Sequence, residues 1–581
     1  MLFSWLINLT RRSRAPDSAL ANALYSQGEA AHRAGRHREA AAHLLGAINA
    51  NPRVAEYHYE LGRVMRSLAE PERAITCFRA AIGVDARHRD AHIDIASVML
   101  GLGNPAAAEQ AARAALQIDP ASVPAHVNLG GALEEQGRFG EAAESYRAAL
   151  AIQADFVPAL CNLSTICLQL GEVDEAARHA EHAVRIAPQD AVVHLRRASV
   201  LLEMRRPHDA AESFREALRL QPACVQARTG VGYALDIQGD LDGALAQYQL
   251  ALETDPADVQ AHLNRATIRL AREDYVLGWE EYEWRLRSAS HAALYARFNH
   301  PLWDGAPLAG RRVLIYGEQG LGDEIMFASC IPEAIAQAAH CVIDCEPRLA
   351  GMFRRSFPQA TVHAGKQTDA VDWLADAGDI DVRIPSGSLP LRLRRSPDSF
   401  PRHQGYLRAD PERIAVWRER LRQLGPGLKV GLSWRGGVPQ TGRGSRSIPL
   451  ADLLPVLRVA GATFVNLQYN RGGGELATLR ERHEVEILDW PQAVDDYEDT
   501  AALACALDLT VSVCTALVDL CGALGRPVWV LAPVRSDFRY GLSGETMRWY
   551  PSVRMFRQST YGDWAPVIAS VAEALKKKAA G

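Results

Sequence analysis

Three turns carry the residues able to do chemistry. The first is Gly317-Glu-Gln-Gly320-Leu-Gly322-Asp323. Its glycines permit close backbone approach to a ligand. Asp323 can take a proton from an acceptor hydroxyl within hydrogen-bond reach, or it can simply cap the helix that follows; the residues alone leave both open. The turn does not match the dinucleotide fingerprint. The second is Ser433-Trp434-Arg435-Gly436-Gly437, continuing through Thr441, Arg443 and Arg446 to Ser447-Ile-Pro-Leu450. Glycines, hydroxyls and three guanidinium groups suit a diphosphate, because arginine offers paired donors and a fixed charge; the alternative is a solvated basic loop. The third is Val513-Cys514-Thr515-Ala516-Leu517, with Asp519 and Gly522-Ala-Leu-Gly525 beyond it. A helix starting at Thr515 would offer free amides and a positive dipole end to phosphate, or Thr515 is a plain N-cap.

The flanking patterns say what must hold these turns. Arg312–Tyr316 reads as a short buried strand, followed by a helix over about 324–339, a strand over 341–345 and a helix after Pro347. Asp410-Pro411-Glu412 opens a capped helix that stops at Gly425-Pro426-Gly427; this stretch reads as a bridge. The pattern then restarts with strands at 428–433, 462–467, 485–488, 509–513 and 528–531, with helices between. Alternating strands and helices imply parallel sheets. Two such units, each opening with a strand and a glycine turn, predict two facing Rossmann-like lobes with ligands beyond the carboxyl ends of the strands.

The first half is a repeat of 34 residues. Pro52, Pro120, Pro188, Pro222 and Pro256 fall on one grid, with Ala86 and Ala154 in the remaining places. Two alanine columns are complete: Ala40, Ala74, Ala108, Ala142, Ala176, Ala210 and Ala244, and Ala47, Ala81, Ala115, Ala149, Ala183, Ala217 and Ala251. A third column holds Gly28, Gly62, Gly130 and Gly232, with Ala96, Ser164 and Ala198 substituting. Small residues are needed where two antiparallel helices cross, and proline ends the second helix of each pair. This resembles the tetratricopeptide repeat, with seven units over about 21–258 and a degenerate eighth over about 259–290. The resemblance implies peptide or protein binding. The aromatic run from Tyr275 through Trp279, Tyr282 and Trp284 is suited to bury against the next domain.

The totals exclude several classes. The chain has 581 residues, 48% hydrophobic and 23% charged, with a net charge of −5, so nothing points to nucleic acid. Ten scattered cysteines read as buried thiols of a reducing cytoplasm. No run is long enough for a membrane span. The apolar residues of Met1–Thr10 precede Arg11, Arg12 and Arg14, the reverse of a secretory signal, and membrane association is not expected. Asp379-Ile-Asp381 has the acidic spacing of metal-using transferases but is expected at a strand edge.

Taken together, Gly320-Leu-Gly322-Asp323-Glu324, Gly431-Leu-Ser-Trp-Arg-Gly436, Arg446-Ser-Ile-Pro-Leu450, Asn466-Leu-Gln468, Thr515–Gly525, Trp549-Tyr-Pro-Ser552 and Phe556-Arg-Gln558 resemble the heptosyltransferase-like glycosyltransferases of the GT-B fold, in the branch with N-terminal tetratricopeptide repeats. The resemblance covers about residues 275–581. It implies an α plus α/β chain: tail 1–20, repeat solenoid 21–290, acceptor-side lobe 291–425 and nucleotide-sugar-side lobe 426–581. It implies Asp323 as the catalytic base, the turn glycines Gly317, Gly320 and Gly322 beside it, and donor contacts at Ser433, Arg435, Arg446, Gln468, Thr515, Ala516 and Leu517. It also implies a metal-independent reaction without a cofactor, the nucleotide-sugar being a substrate, and a cytoplasmic enzyme whose acceptor is a protein held by the repeats, flagellin being one such acceptor. Two positions depart from the family pattern: Cys514 stands for Asp and Asp519 for His. They leave room for a non-catalytic scaffold with a degenerate transferase domain. Transfer to a lipopolysaccharide or polysaccharide precursor is the other enzymatic alternative.

Overall fold

The computed structural model describes residues 17–288, 294, 296–365, 370–437, 446–469 and 474–580. Thr441, Arg443, the basic N-terminal tail and the 290/291 lobe boundary lie outside the described residues. The chain divides into two compact units, Met1–Val200 and Leu201–Gly581.

The first unit is built from paired antiparallel helices, beginning with Ser18–Arg33 and His37–Ala50. Every alanine of its two columns, from Ala40 and Ala47 to Ala176 and Ala183, has 0% exposure. The glycine column has a steric cause. A Cβ on Gly62 would lie 2.5 Å from the Phe78 ring, and one on Gly130 would lie 2.5 Å from the Tyr146 ring. Where Ala96 and Ser164 replace the glycine, the residues sixteen places on are Ala112 and Ala180. Small and large residues are therefore exchanged as pairs at each helix crossing, as a close-packed interior requires. A histidine column was not read from the sequence: His58, His126 and His194 each bond through Nε2 to the carbonyl of Pro52, Pro120 and Pro188, at 3.0, 2.9 and 2.9 Å. Each thereby satisfies a turn carbonyl that has no helical partner.

The second unit holds further helices of the same kind, from Pro207–Leu220 to Tyr275–Tyr282, and then two parallel sheets. The first sheet contains β1 (Arg312–Tyr316), β2 (His340–Cys345), β3 (Thr361–Ala364) and β4 (Val382–Pro385), in the order β3-β2-β1-β4. The second contains β5 (Leu428–Ser433), β6 (Ala462–Asn466), β7 (Leu509–Val513), β8 (Val528–Ala532) and β9 (Val553–Arg557), in the order β6-β5-β7-β8-β9. All pairings are parallel.

Three details differ from the sequence reading. Residues 485–488 form only a single bridge, Leu488 to Val465, rather than a strand. The helix expected over 324–339 is broken into Leu321–Phe327 and Ile331–Gln337 around a 3₁₀ turn, because Pro332 has no N–H to continue the first segment. Strands β3, β4 and β9 are additional.

Of the aromatic run at the end of the repeats, Tyr275 and Trp279 are buried within this unit, and Tyr282 and Trp284 are half-buried. Trp279 is 1% exposed, donates its Nε1–H to the Arg394 carbonyl at 2.9 Å and meets Phe538 and Trp549 edge-on at 5.6 and 6.3 Å. Arg535 pairs with Asp236 at 2.5 Å in a buried contact. The end of the repeat region, from Leu270 to Trp279, thus shares one core with the sheets, and Trp279 alone accounts for roughly 3–5 kcal/mol on truncation.

Candidate functional site

In each sheet the strand order reverses between two neighbours, β1/β4 and β5/β7, and such reversals open a crevice at the carboxyl ends. The Gly317–Asp323 turn leaves β1, the Trp434–Gly437 turn leaves β5, and Thr515 follows β7. A cavity of about 650 Å³ lies where these ends meet. It is lined by Gly320, Gly322 and Asp323 from one sheet and by Gly437, Arg446 and Thr515–Leu517 from the other. The two sides approach closely: a Cβ on Gly322 would lie 2.7 Å from the Asp519 carboxylate and 3.3 Å from Ala516.

Asp323 occupies the third position of helix Leu321–Phe327, and its Oδ2 accepts the Gly320 N–H at 3.2 Å. Its Oδ1 accepts from Nη2 of Arg539. The same guanidinium donates through Nη1 to Asp519 at 3.2 Å and through Nε to Asp537 at 3.0 Å. One arginine therefore bridges three carboxylates. Burial pushes the Asp519 carboxyl up to about 7, with Arg539 opposing. Burial acts against Asp537 as well, but there the guanidinium and the Arg539 backbone N–H prevail and hold it below the usual carboxylate range. Tyr550 completes the group by donating its hydroxyl to Asp519 at 3.2 Å.

Opposite, helix Ala516–Ala523 begins at the cavity. Its N-cap Thr515 accepts the Leu517 N–H through Oγ1 at 3.3 Å, so this amide is engaged. As the first residue of the helix, Ala516 has an amide with no intrahelical acceptor, and the helix dipole adds to it. Arg446 supplies a guanidinium on the same wall. Together these can balance the charge of a diphosphate.

Three expected donor contacts do not line the cavity. Ser433 and Gln468 are each 2% exposed. The Gln468 Oε1 accepts from Ser433 Oγ and from the backbone N–H groups of Trp434 and Arg435, at 3.2, 3.0 and 2.7 Å, and its Nε2 donates back to the Arg435 carbonyl at 3.1 Å. These residues knot the turn after β5 instead of presenting groups to a ligand. Arg435 is directed to Glu475, 3.2 Å away. Of the glycines, Gly317 lines an adjoining cavity of about 360 Å³, which shares Gly320, Leu321 and Arg348 with the first. A Cβ on Gly317 would lie 2.3 Å from the Glu324 carboxyl, so that glycine is needed to seat Glu324, whose carboxyl burial pushes up to about 8.

Cys514 is 1% exposed, and burial pushes its thiol up to about 12, which does not suit a nucleophile. Asp381 bonds to the Arg312 N–H at 2.7 Å. It therefore sits at the amino ends of β1 and β4, opposite the cavity. All ten cysteines are free, and nine are buried.

The sequence reading missed Arg539, Asp537, Tyr540, Tyr469 and Arg348, all of which line the main cavity. Arg539 and Asp537 stand outside any glycine turn; the capping of a short 3₁₀ turn by Asp537, with Arg539 two residues on, is a weak local signal for them.

Comparison with known proteins places tetratricopeptide repeats at residues 25–68, 59–123, 195–259 and 238–278 by one repeat model, and at 133–199 by another. The N-terminal part of the chain to about residue 278 is thus a tetratricopeptide-repeat region. Protein FlbA of Caulobacter vibrioides is 37% identical over 360 residues, 59% of this chain; the match spans 60% of that relative's length. Solved structures with similar repeats include a tetratricopeptide-repeat protein from Parabacteroides merdae, with 16% identity, 42% of this chain and 98% of that one covered and a TM-score of 0.37. Another is YrrB, described as a TPR protein with an unusual peptide-binding site, with 18% identity, 32% and 95% covered and a TM-score of 0.27.

Proposed function

We propose that this chain is a glycosyltransferase of the two-lobed GT-B type, which moves a sugar from a nucleotide-sugar to a hydroxyl of an acceptor protein. The reading rests chiefly on the cavity between the two parallel sheets, with a carboxylate from one side, Asp323, facing a helix N-terminus and a guanidinium from the other, Ala516 and Arg446. Asp323 takes the proton of the acceptor hydroxyl, the hydroxyl oxygen bonds to the anomeric carbon, and the bond from that carbon to the nucleotide diphosphate breaks. The Ala516 amide, the dipole of its helix and Arg446 receive the charge left on the diphosphate. Arg539 fixes the direction of the Asp323 carboxylate and keeps two further carboxylates, Asp519 and Asp537, in register with it.

Tetratricopeptide repeats favour a protein acceptor, and flagellin is the acceptor that the resemblance suggests. A cytoplasmic setting follows from that reading. The test is to incubate the full chain with UDP-, GDP-, ADP- and CMP-sugars and flagellin, and to follow nucleotide release and sugar on the protein by mass spectrometry. Transfer that is lost in Asp323→Asn supports the reading; nucleotide release with no dependence on Asp323 refutes the assignment of the base.

One observation favours a second reading. The Asp323 carboxylate is already engaged by Arg539, as in a repeat scaffold whose transferase lobes bind nucleotide without turnover. Donor binding without transfer or hydrolysis under any acceptor would select that reading.

A further inference from the structure

A second and larger opening lies in the same unit, about 1660 Å³ in volume. That exceeds the roughly 300–1,000 Å³ typical of small-ligand pockets. Three stretches form its walls: the end of the repeat helix Val259–Ala271 with Arg272 and Glu273, the segment Pro397–Gln404, and the loop running from Phe538 past Leu542, Ser543 and Thr546. Its lining charges balance in number: Asp242, Glu273 and Asp398 stand against Arg272, Arg402 and Arg548, while Arg539 is engaged by the carboxylates already described. Arg272 meets Asp242 at 2.8 Å, and Arg548 meets Glu273 at 2.8 and 3.0 Å. His403 is bonded to the Trp549 carbonyl at 3.0 Å. A groove neutralised in this way does not select a polyanion, whose binding needs a net positive surface. It suits an uncharged polar chain.

The groove and the transfer cavity share a wall. Arg539 and Tyr540 line both, and Arg539 is the residue hydrogen-bonded to Asp323. We propose that the groove is the acceptor channel: an extended polypeptide segment of the acceptor lies between the end of repeat helix Val259–Ala271 and the Phe538–Pro551 loop, and reaches Asp323 past Arg539. The proposal rests on the glycosyltransferase reading for the role of Asp323, whereas occupancy of the groove by polypeptide is independent of turnover.

Ser543 and Thr546 are exposed on the groove wall, so tryptophan at both can fill it without disturbing the core. The experiment uses the full chain and a pool of twelve-residue, uncharged, Ser/Thr-containing peptides carrying a photoreactive group, with crosslinks mapped by mass spectrometry. Expected are crosslinks on 397–404 and 541–548, reduced at least tenfold in the Ser543→Trp/Thr546→Trp chain, while thermal stabilisation by the nucleotide-sugar, or by the free nucleoside diphosphates should no sugar bind, stays the same. Crosslinks elsewhere, no crosslinks, or equal labelling of the blocked chain overturn the channel. If peptides label the groove and yet no donor is turned over, the channel stands and the glycosyltransferase reading fails.

Discussion

Arg539 and Asp323 stand 216 positions apart in the chain and are joined by a direct hydrogen bond between Nη2 and Oδ1. The bond ties the turn after β1 of one sheet to a loop of the other. The arginine is buried, and its remaining donors engage Asp519 and Asp537. A single side chain therefore sets both the closure of the cleft and the orientation of its candidate base.

Removing that side chain leaves the buried Asp519 carboxyl and the partly exposed Asp323 and Asp537 carboxylates without their shared cation. Arg539→Ala is expected to destabilise the chain by about 3–5 kcal/mol, as for other broken buried ion pairs. Arg539→Lys is expected to recover only part of it, because an ammonium cannot bridge three acceptors in a fixed fork. Urea denaturation of the three proteins checks the order.

Asp323→Asn keeps the shape of the side chain and its place in the helix. Transfer is expected to fall by about 10²–10⁴-fold with donor affinity unchanged. A kcat/KM measurement paired with equilibrium donor binding separates the two effects.

The Asp519 carboxyl, pushed to about 7 by burial, gives stability a pH dependence of known sign. Between the unfolded value of about 3.9 and about 7, the folded chain holds a proton that the unfolded chain releases. The contribution of this carboxyl to stability is therefore fully present below that window and is lost as pH rises through it, by on the order of 4 kcal/mol. Asp519→Asn has no such proton. Its stability relative to the parent is expected to improve from pH 4.5 to about pH 7 and to level off above that; a constant difference from pH 4.5 to pH 8 contradicts the assignment.

The glycine column of the repeats can be tested by a double-mutant cycle. Gly130→Ala sets a methyl 2.5 Å from the Tyr146 ring and is expected to cost about 1–3 kcal/mol. In a Tyr146→Ala background the same change is expected to be near neutral, as the natural pair Ala96 and Ala112 indicates. Coupling energies from thermal or urea melts decide it.

Much of this architecture was legible in the residues. The alanine and glycine columns repeat every 34 places because each crossing of helices poses the same steric problem. β1, β5 and β7 were legible because buried parallel strands are short apolar runs ending in glycine or hydroxyl turns. β3 was not: Thr361-Val-His-Ala is a four-residue edge strand, half-exposed along its length. β4 ends on Pro385 and carries Arg383, which masks the apolar pattern. The roles of Ser433 and Gln468 were not legible either. A buried glutamine that bonds two backbone amides and a hydroxyl looks the same in sequence as one that waits for a ligand. Arg539 left the least trace of all, because its partners Asp323 and Asp519 come from other segments and no spacing links them.

Ala516→Pro removes one N–H from the mouth of the helix while keeping a residue that the first helical position tolerates. In the proposed reaction this N–H and Arg446 grip a nucleotide diphosphate between the two sheets. The most direct measurement is thermal stabilisation of the full chain by UDP-, GDP-, ADP- and CMP-sugars, repeated with Ala516→Pro and Arg446→Ala. One nucleotide class is expected to stabilise the parent chain, by about 2.7 kcal/mol at a hundredfold excess over Kd, and each substitution is expected to weaken that response. No stabilisation by any of the four, or a response untouched by both substitutions, would contradict it.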